Sequence, residues 1–328
     1  MNDPLPCTVT APPRDDFKQW IEVRREEIDE LLLRHGAVLF RGFNVSTDAR
    51  FQEAVARLSG HRLDYIYRST PRTNVGEGVY TATEYPPGLT IPLHNENAYQ
   101  RDWPMLLIFG CLQPSARGTG LTSLADTVAV TRRIDREVIR KFENKQVLYV
   151  RNYRRDIDLP WQVVFQSESQ RGVEDYCARH KIAFEWTPDG GLRTRQRCQA
   201  ISRHPRTGVP VWFNQAHLFH PSALDKKTQK LLRDTFKEED FPRNVFYGDG
   251  SRIEEADLAS IRNAFEMEQV TFQWEVGDVL LVDNMRVSHG RTPYSGNRRV
   301  LFAMCEAFSE AGCCAAGPDQ AEQGGSAS

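Results

Sequence analysis

The pattern of apolar and polar positions divides the chain into helical and extended segments. Residues 15–35 carry apolar side chains at helical spacing, and Gly36 ends that pattern, which predicts an amphipathic helix. The run AVLFRGF at 37–43 predicts a buried strand, and residues 48–58 predict a second helix. The N-terminal part is therefore expected to place helices against a strand.

The rest of the chain is dominated by short apolar runs that are typical of strands. Strands are expected at 106–112, 121–127, 146–153, 197–205, 208–215, twice within 270–290, and at 297–308. Helices are expected at 128–141, 169–180, 226–238 and 256–267. Helices at the front and many strands behind them predict a mostly β fold with packed helices, and a double-sheet jelly roll fits this order.

The domain organisation is expected to be simple. Residues 1–310 contain no internal repeat and no Gly/Ser linker, so they are expected to form a single domain with helical insertions. Residues 311–328 are rich in small and polar residues and are expected to form a disordered tail.

Composition and charge exclude several classes of partner. The 328 residues are 40% hydrophobic and 26% charged, and a net charge of −2 provides no basic field for nucleic acid or an anionic membrane. No run of about 18 apolar residues predicts a membrane span, and the first residues lack the pattern of a signal peptide. The seven cysteines are irregularly spaced, which argues against a disulfide framework. A cytoplasmic location is expected.

Two histidines stand in settings that suggest a metal site. His94 and Glu96 are separated by one residue in IPLHNENAYQ, and in an extended segment such residues project to the same side. His289 follows an apolar run and precedes Gly290. Two imidazoles and one carboxylate leave three positions of an octahedron open, a set that suits Fe(II). An H-x-E triplet alone is a weak signal, so its surroundings decide its value.

Two further residues could hold a dicarboxylate bound to that metal. Thr122 offers a hydroxyl, and Arg299 opens a strand ten residues after His289. A guanidinium binds a carboxylate through two parallel hydrogen bonds, and a buried arginine needs an anionic partner. A dicarboxylate with its keto-acid end on the metal and its far end on Arg299 satisfies both needs. The neighbouring Arg298 is expected to point to solvent.

Five segments together carry a resemblance to a known family. They are GAVLFRGF (36–43), HNENAY (94–99), TSLADT (122–127), VWFNQAHLFH (211–220) and DNMRVSHGRTPYSGNRRV (283–300). In this order they resemble the TauD/TfdA (taurine dioxygenase) family of Fe(II)/2-oxoglutarate-dependent oxygenases, nearest to its clavaminate synthase-like and SyrP-like hydroxylases. The resemblance implies a double-stranded β-helix, Fe(II) as the metal, and 2-oxoglutarate and O2 as co-substrates.

The resemblance also implies roles for individual residues. Thr122 and Arg299 match the positions that bind the far carboxylate of 2-oxoglutarate, whereas a second family arginine falls on Ala303. Most relatives carry H-x-D, but clavaminate synthase shares the glutamate found here. A halogenating subgroup has a small residue at the position of Glu96, so halogenation is not expected.

The substrate implied by the resemblance is an amino acid or an amino-acid-derived group, either free or tethered to a peptidyl carrier protein. Candidate substrate contacts lie near the motifs: Asn97, Tyr99, Asn214, His217 and Arg286. An arginine-rich middle region could bind an anionic phosphopantetheine arm, although an ordinary solvated face is the simpler interpretation. Its residues are Arg151, Arg154, Arg155, Arg171 and Arg179.

Alternatives remain open at the level of the sequence. The same cofactor chemistry could give desaturation, epoxidation or cyclisation instead of hydroxylation. A zinc hydrolase could use the same three metal ligands, but it would have no use for a dicarboxylate clamp. An inactive jelly-roll binding protein would not need His94, Glu96 and His289 together.

Overall fold

The computed structural model describes residues 4–11, 16–67, 69–70, 72–82, 85–154 and 158–309. The tail expected at 311–328 lies outside these residues. None of the helices in the described ranges is long and apolar enough to cross a membrane.

Three helices lie near the N-terminus of the described chain, and the others lie in the segments between strands. They are α1 (Phe17–Val23), α2 (Arg25–His35), α3 (Asp48–Leu58), α4 (Thr127–Arg133), α5 (Arg136–Lys145), α6 (Trp161–Phe165), α7 (Gln170–Arg179), α8 (Ala216–Phe219), α9 (Lys226–Thr235) and α10 (Glu255–Glu268). Short 3-10 turns occupy Pro221–Ala223 and Glu238–Asp240.

The strands account for most of the remaining regular structure. They are β1 (Cys7–Thr10), β2 (Ala37–Arg41), β3 (Asn74–Gly76), β4 (Val79–Thr81), β5 (Ile91–His94), β6 (Asp102–Gln113), β7 (Thr122–Asp126), β8 (Val147–Tyr153), β9 (Ala183–Trp186), β10 (Leu192–Cys198), β11 (Ile201–Arg203), β12 (Pro210–Trp212), β13 (Arg243–Tyr247), β14 (Val270–Phe272), β15 (Val279–Asp283), β16 (Val287–Arg291) and β17 (Arg299–Ser309).

Two helices expected to be continuous are each divided. The segment 15–35 forms α1 and α2, because Arg24 leaves helical geometry between them, with φ −116° and ψ 27°. The segment 128–141 divides into α4 and α5, since the Asp135 side chain accepts a hydrogen bond from the Glu137 backbone N–H and starts a new helix. The helix expected at 48–58 is confirmed as α3.

Two sheets matter most for the site. The major sheet has the strand order β1-β2-β15-β6-β17-β4-β3, and the minor sheet has the order β14-β7-β16-β5. A further four-stranded sheet, β13-β8-β10-β9, belongs to the segment between β7 and β14. Side chains from the major and minor sheets pack into one cluster that includes Phe109, Leu124, Val287 and Phe302. The two sheets therefore enclose an interior between them.

The other face of the major sheet is covered by the N-terminal helices. Trp20 of α1 and Phe51 of α3 share a hydrophobic cluster with Phe40 of β2 and Leu301 of β17. Both faces of the central strands are thus buried, and such strands appear in the sequence as continuous apolar runs. This property has a direct consequence for the site, because alternation does not reveal which side chains face the interior.

Candidate active site

Pairing between two strands of the minor sheet brings the two predicted histidine ligands together. His94 ends β5 and lies directly opposite His289 of β16 in the antiparallel register. Their ring centroids are 4.4 Å apart. Gly290 is required beside them, because a Cβ atom at that position would lie 2.6 Å from the carbonyl oxygen of Ile91. Pairing of the two strands therefore brings together two histidines that are 195 positions apart in the sequence.

The carboxylate ligand is delivered by a turn and not by an extended strand. The expectation that His94 and Glu96 lie in one extended segment is wrong, because β5 ends at His94 and residues 96–99 form a turn. Asn284 fixes that turn: its Nδ2 donates to the Glu96 carbonyl at 2.9 Å, and its Oδ1 accepts from the Glu96 N–H at 2.8 Å. The turn is therefore anchored to the segment that joins the two sheets.

One potential ligand atom from each residue of this cluster lies within 4.8 Å of the others. Glu96 and His289 are buried, at 3% and 7% exposure. The Nδ1 of His94 lies 2.8 Å from the carbonyl oxygen of Pro92, so it carries the proton and leaves Nε2 as a lone-pair donor. The set fits a mononuclear Fe(II) site with open positions.

Burial keeps both imidazoles neutral. It lowers the pKa of His94, an effect partly offset by the Glu96 carboxylate. It lowers the pKa of His289 well below its ordinary value, and His94 and Arg72 add to that shift. Neutral imidazole is the form that binds a metal ion, so the cluster does not have to lose protons before binding.

The metal cluster lies in a narrow cavity that extends along β16. Residues 289 and 291 project from the same face of this strand, about 7 Å apart. The cavity is lined by Arg72, Ala82, Ile91, His94, Phe109, Thr122, Trp274, His289, Gly290, Arg291 and Arg298. We call the part that holds His94, Glu96, His289 and Arg72 the metal end, and the part that holds Thr122, Trp274, Arg291 and Arg298 the anion end.

At the anion end, the hydroxyl of Thr122 is oriented by a tryptophan that the sequence analysis did not identify. Trp274 Nε1 donates to Thr122 Oγ1 at 2.7 Å, and Thr122 is 7% exposed. Because an indole N–H can only donate, it uses an acceptor site of the hydroxyl and leaves the hydroxyl proton available. Thr122 lines the same cavity as His94 and His289, and its binding of a co-substrate carboxylate stays a prediction.

Two arginines at the anion end have no carboxylate partner among the described residues. Arg298 makes no hydrogen bond there, and its Nε is buried. Burial and the nearby Arg291 lower the pKa of Arg298 to about 10. Arg291 donates to the carbonyl oxygens of Pro86 and Leu89, each at 2.9 Å. The anion end is therefore positively charged, and the described residues place no carboxylate against it.

The expectation that Arg299 faces this cavity and Arg298 faces solvent is wrong. Arg299 is 46% exposed at its side chain and pairs with Asp48 at 2.8 Å. On β17, Leu301 packs against the N-terminal helices, whereas Val300 lies in the cluster between the sheets. Arg298 lies in the cavity wall. A shift of one residue exchanges the two faces of a strand, and this chain places Arg298 inside.

Correcting the register also moves the position of the second family arginine. Four residues beyond Arg298 lies Phe302 instead of Ala303. Phe302 contacts Phe109 on the inner side of the major sheet, with ring centroids 4.9 Å apart. The guanidinium carbon of Arg72 lies over the Phe302 ring at 3.9 Å. The guanidinium of Arg72 thus lies beside Phe302, the residue that stands at the position of the second family arginine.

Three predicted substrate residues make their contacts outside this cavity; two of them are Asn214 and His217. Asn214 Nδ2 donates to the Ala200 carbonyl at 2.9 Å. His217 is buried against Phe265, and its Nε2 lies 3.3 Å from the Leu93 carbonyl oxygen. These residues support the segments around the metal ligands. The structure gives no support to the prediction that they contact a substrate.

The third, Arg286, pairs with Asp126 at 3.0 Å and is not part of the cavity wall. Tyr99 is buried and donates to the Tyr67 carbonyl at 2.9 Å. Asn97 has a φ of 57° and lines a different cavity, together with Trp103. Contact of these residues with a substrate stays a prediction.

The arginine-rich middle region is not one exposed surface. Arg151 is 1% exposed and lies over the rings of Tyr67 and Tyr153, at 5.0 and 4.9 Å. Arg154 pairs with Asp240 at 3.3 Å. Arg155 lies outside the described residues, and Arg171 and Arg179 are exposed. The buried Arg151 fits neither the anion-binding region nor the ordinary solvated face considered for this group.

A buried cluster of two histidines and one carboxylate beside a cationic cavity defines the class of site: a mononuclear metal centre that accepts an anionic organic co-substrate. The family model described as "Taurine catabolism dioxygenase TauD, TfdA family" matches residues 2–305. The chain belongs to this family, and it is an Fe(II)- and 2-oxoglutarate-dependent dioxygenase.

Two curated proteins are similar to the chain over most of its length, and a solved structure shares its fold. The chain is 41% identical over 279 residues to the dapdiamide synthesis protein DdaC of Enterobacter agglomerans, covering 85% of this chain and 84% of that protein. It is 32% identical over 301 residues to a clavaminate synthase-like protein of Arabidopsis thaliana, covering 88% and 87%. A structure of asparagine oxygenase with Fe(II), 3-hydroxyasparagine and succinate aligns with a TM-score of 0.53 at 13% identity, covering 88% and 78%.

Proposed function

We propose that 2-oxoglutarate spans the cavity, with its keto-acid end at the metal end and its far carboxylate at the anion end. Arg298 and Thr122 would bind the far carboxylate, and His94, Glu96 and His289 would hold Fe(II). The observation that carries this proposal is the uncompensated charge of Arg298, which is buried beside Arg291 and has no carboxylate partner among the described residues. A carboxylate supplies the missing counter-ion and accepts two hydrogen bonds from one guanidinium.

We further propose that the core of the chain is a double-stranded β-helix formed by the major and minor sheets. Support comes from the cluster of apolar side chains that both sheets contribute around the site. One domain over residues 1–310 remains the organisation that we propose. The protein's own part in the reaction is to hold the metal, to pair both ends of the co-substrate and to exclude water.

The reaction that we propose is hydroxylation of an amino acid or an amino-acid-derived group in natural-product biosynthesis. When bound, Fe(II) with 2-oxoglutarate and oxygen supplies the oxidising chemistry that inserts oxygen into a C–H bond. The name of DdaC, a dapdiamide synthesis protein, supports a biosynthetic role at 41% identity. Glu96 keeps a carboxylate among the ligands and supports oxygenation over halogenation. A zinc hydrolase would leave the cationic end of the cavity without a purpose.

Anaerobic titration tests the co-substrate assignment. Fe(II) and 2-oxoglutarate added to the apoprotein should give the weak visible charge-transfer band of the chelate, and His94→Ala should abolish it. A wild-type protein that gives no band, or a His94→Ala variant that keeps it, would contradict the proposal.

Product analysis tests the outcome of the reaction. Incubation with candidate amino acids should yield a product that has gained one oxygen atom. A product that has lost two hydrogen atoms would instead indicate desaturation or cyclisation. An epoxidation would also add one oxygen but would consume a carbon–carbon double bond, which NMR distinguishes.

A carrier-tethered substrate is the second form that we propose. Arg171 and Arg179 are exposed and remain available for an anionic phosphopantetheine arm. Turnover of one amino acid, free and loaded on a peptidyl carrier protein, should favour the loaded form. Equal efficiency would remove the carrier protein as a partner.

A further inference from the structure

We propose that Arg72 is a positioning residue that orients the Glu96 ligand and binds the carboxylate at the keto-acid end of the co-substrate. The inference rests on the proposed seating of 2-oxoglutarate in this cavity. Arg72 would be the second cation that contacts the co-substrate: it lies at the metal end, whereas Arg298 binds the far carboxylate at the anion end.

The first observation is a buried ion pair. Arg72 Nη2 donates to Glu96 Oε2 at 2.7 Å, and each side chain is 3% exposed. Glutamate has one more rotatable bond than aspartate, so a ligand at this position can adopt more orientations. A charged hydrogen bond in a buried site restricts that freedom. Arg72 therefore selects the orientation in which Glu96 faces His94 and His289.

The second observation is the unused hydrogen-bonding capacity of Arg72. Its Nε and Nη1 are buried and have no hydrogen-bond partner in the described part of the chain. Leaving a buried donor unsatisfied is costly, and a charged donor more so. Arg72 lines the same cavity as Arg298. An anionic ligand in that cavity can supply the acceptors that the described residues do not.

The third observation is how the guanidinium is held. Its central carbon lies 3.9 Å from the centroid of Phe302 and 5.0 Å from that of Tyr65. Stacking on aromatic rings fixes the plane of a guanidinium and leaves its edges free to donate. Because Nη2 bonds Glu96 at 2.7 Å, the small guanidinium that carries the remaining donors lies beside the metal cluster.

Charge at the two ends identifies the ligand group. The guanidinium groups of Arg72 and Arg298 both line the cavity, one beside the metal ligands and one at the anion end. A ligand with carboxylates at both ends meets one cation at each end. The metal-proximal carboxylate of 2-oxoglutarate is therefore the group that Arg72 would bind.

The test uses the variant Arg72→Lys and measures its metal affinity and its 2-oxoglutarate affinity separately. This variant keeps a positive charge beside Glu96 but places all its donors on one nitrogen, and so loses the donors at the Nε and Nη1 positions. Calorimetry with Mn(II) should give a metal affinity close to that of the wild type. Anaerobic titration of the Fe(II)-loaded variant should then show 2-oxoglutarate binding weakened by about tenfold, the loss of one charge-assisted hydrogen bond. Unchanged 2-oxoglutarate affinity would overturn the proposal.

Comparison of 2-oxoglutarate with a second 2-oxo acid, 2-oxobutyrate, shows which carboxylate of the co-substrate Arg72 binds. 2-Oxobutyrate is 2-oxoglutarate without its far carboxylate. Arg72→Lys should weaken both acids by a similar factor, whereas Arg298→Met should weaken 2-oxoglutarate alone. If Arg72→Lys affected only 2-oxoglutarate, Arg72 would belong to the far carboxylate and the assignment would be wrong.

Two controls keep the result interpretable. Arg299→Met removes an exposed arginine of similar sequence context and should leave both titrations unchanged. Arg72→Met, which leaves Glu96 without its partner, should lose metal affinity as well, and Arg72→Lys should restore it. A wild-type protein that fails to bind 2-oxoglutarate would count against the proposed co-substrate and not against Arg72 specifically.

Discussion

The metal end and the anion end of the cavity are built in opposite ways. At the metal end, Glu96 has its side chain paired with Arg72 and its backbone held by Asn284, and His94 is oriented by a carbonyl oxygen. At the anion end, Arg298 is buried without a counter-ion among the described residues. One end is organised before any ligand arrives, whereas the other depends on a ligand for its charge balance.

This difference has a physical reason. Metal ligands must converge within a few tenths of an ångström, so their supporting contacts have to be made by the protein itself. A flexible dicarboxylate can adjust to its cations, and the energy of pairing them contributes to its binding. Changes to the metal ligands or to the Asn284 contacts that hold Glu96 should therefore affect stability or metal binding, whereas changes at the anion end should affect 2-oxoglutarate alone.

The largest effect is expected from Asn284→Ala. Asn284 is fully buried, and its side chain bonds the Glu96 N–H and carbonyl and also the Pro104 carbonyl. Its loss leaves several buried groups unsatisfied, which should lower the free energy of unfolding by about 3 kcal/mol. Chemical denaturation measures this change. A variant as stable as the wild type would mean that the turn is held by other contacts.

Removal of a metal ligand should strongly weaken the binding of the metal ion. His289→Ala should weaken Fe(II) or Mn(II) binding by more than about a hundredfold, since even supporting residues of metal sites cost ten- to a hundredfold. Calorimetry on the apoprotein checks this. Retained affinity would show that the ion binds elsewhere and would remove His289 from the ligand set.

Arg298 and Arg299, neighbours at the start of β17, provide a matched pair for the anion end. Arg298→Met should weaken 2-oxoglutarate by about thirtyfold, or about 2 kcal/mol, without changing metal affinity. Arg299→Met should have little effect, because Arg299 is exposed and a surface ion pair with Asp48 contributes about 0–1 kcal/mol. The reverse result would restore the original assignment of Arg299.

The smallest effect at neutral pH concerns His217, which supports the strand that ends at His94. Burial lowers the pKa of His217 to about 3, from an ordinary value of 6.5. The folded state therefore resists protonation, so this contribution to stability is complete above pH 6.5 and is lost as the pH falls toward 3. The slope from this group is at most about 1.4 kcal/mol per pH unit.

The His217→Gln variant isolates that contribution. Its unfolding free energy should decline less steeply than that of the wild type between pH 6.5 and 3, because glutamine does not titrate. Denaturation at several pH values measures the difference. Parallel curves would show that another group dominates this range.

Much of the fold was predictable from local patterns. The helix at 48–58 and the strands around 121–127 and 146–153 are confirmed, because each has strong periodicity and clear ends. The divided helices were missed where Arg24 and Asp135 interrupt an otherwise helical pattern. Their breaks depend on single residues that a pattern averaged over several turns does not reveal.

The chain's own sequence determined which residues could form the metal cluster. The residue types and the spacing of His94, Glu96 and His289 predicted two imidazoles and one carboxylate as ligands. The structure brings these three side chains together. The sequence also predicted that an arginine shortly after His289 binds a dicarboxylate, and it placed that role on Arg299. It did not determine which of the two adjacent arginines faces inward.

Only the tertiary structure decided that choice, and it did so through packing on both sides of β17. Because Val300 and Leu301 are both buried, one against the minor sheet's core and one against the helices, the strand has no polar face to mark its orientation. Arg72 shows the same limit. Its pairing with Glu96 joins two buried charges 24 positions apart, and only the fold brings such charges within hydrogen-bonding distance.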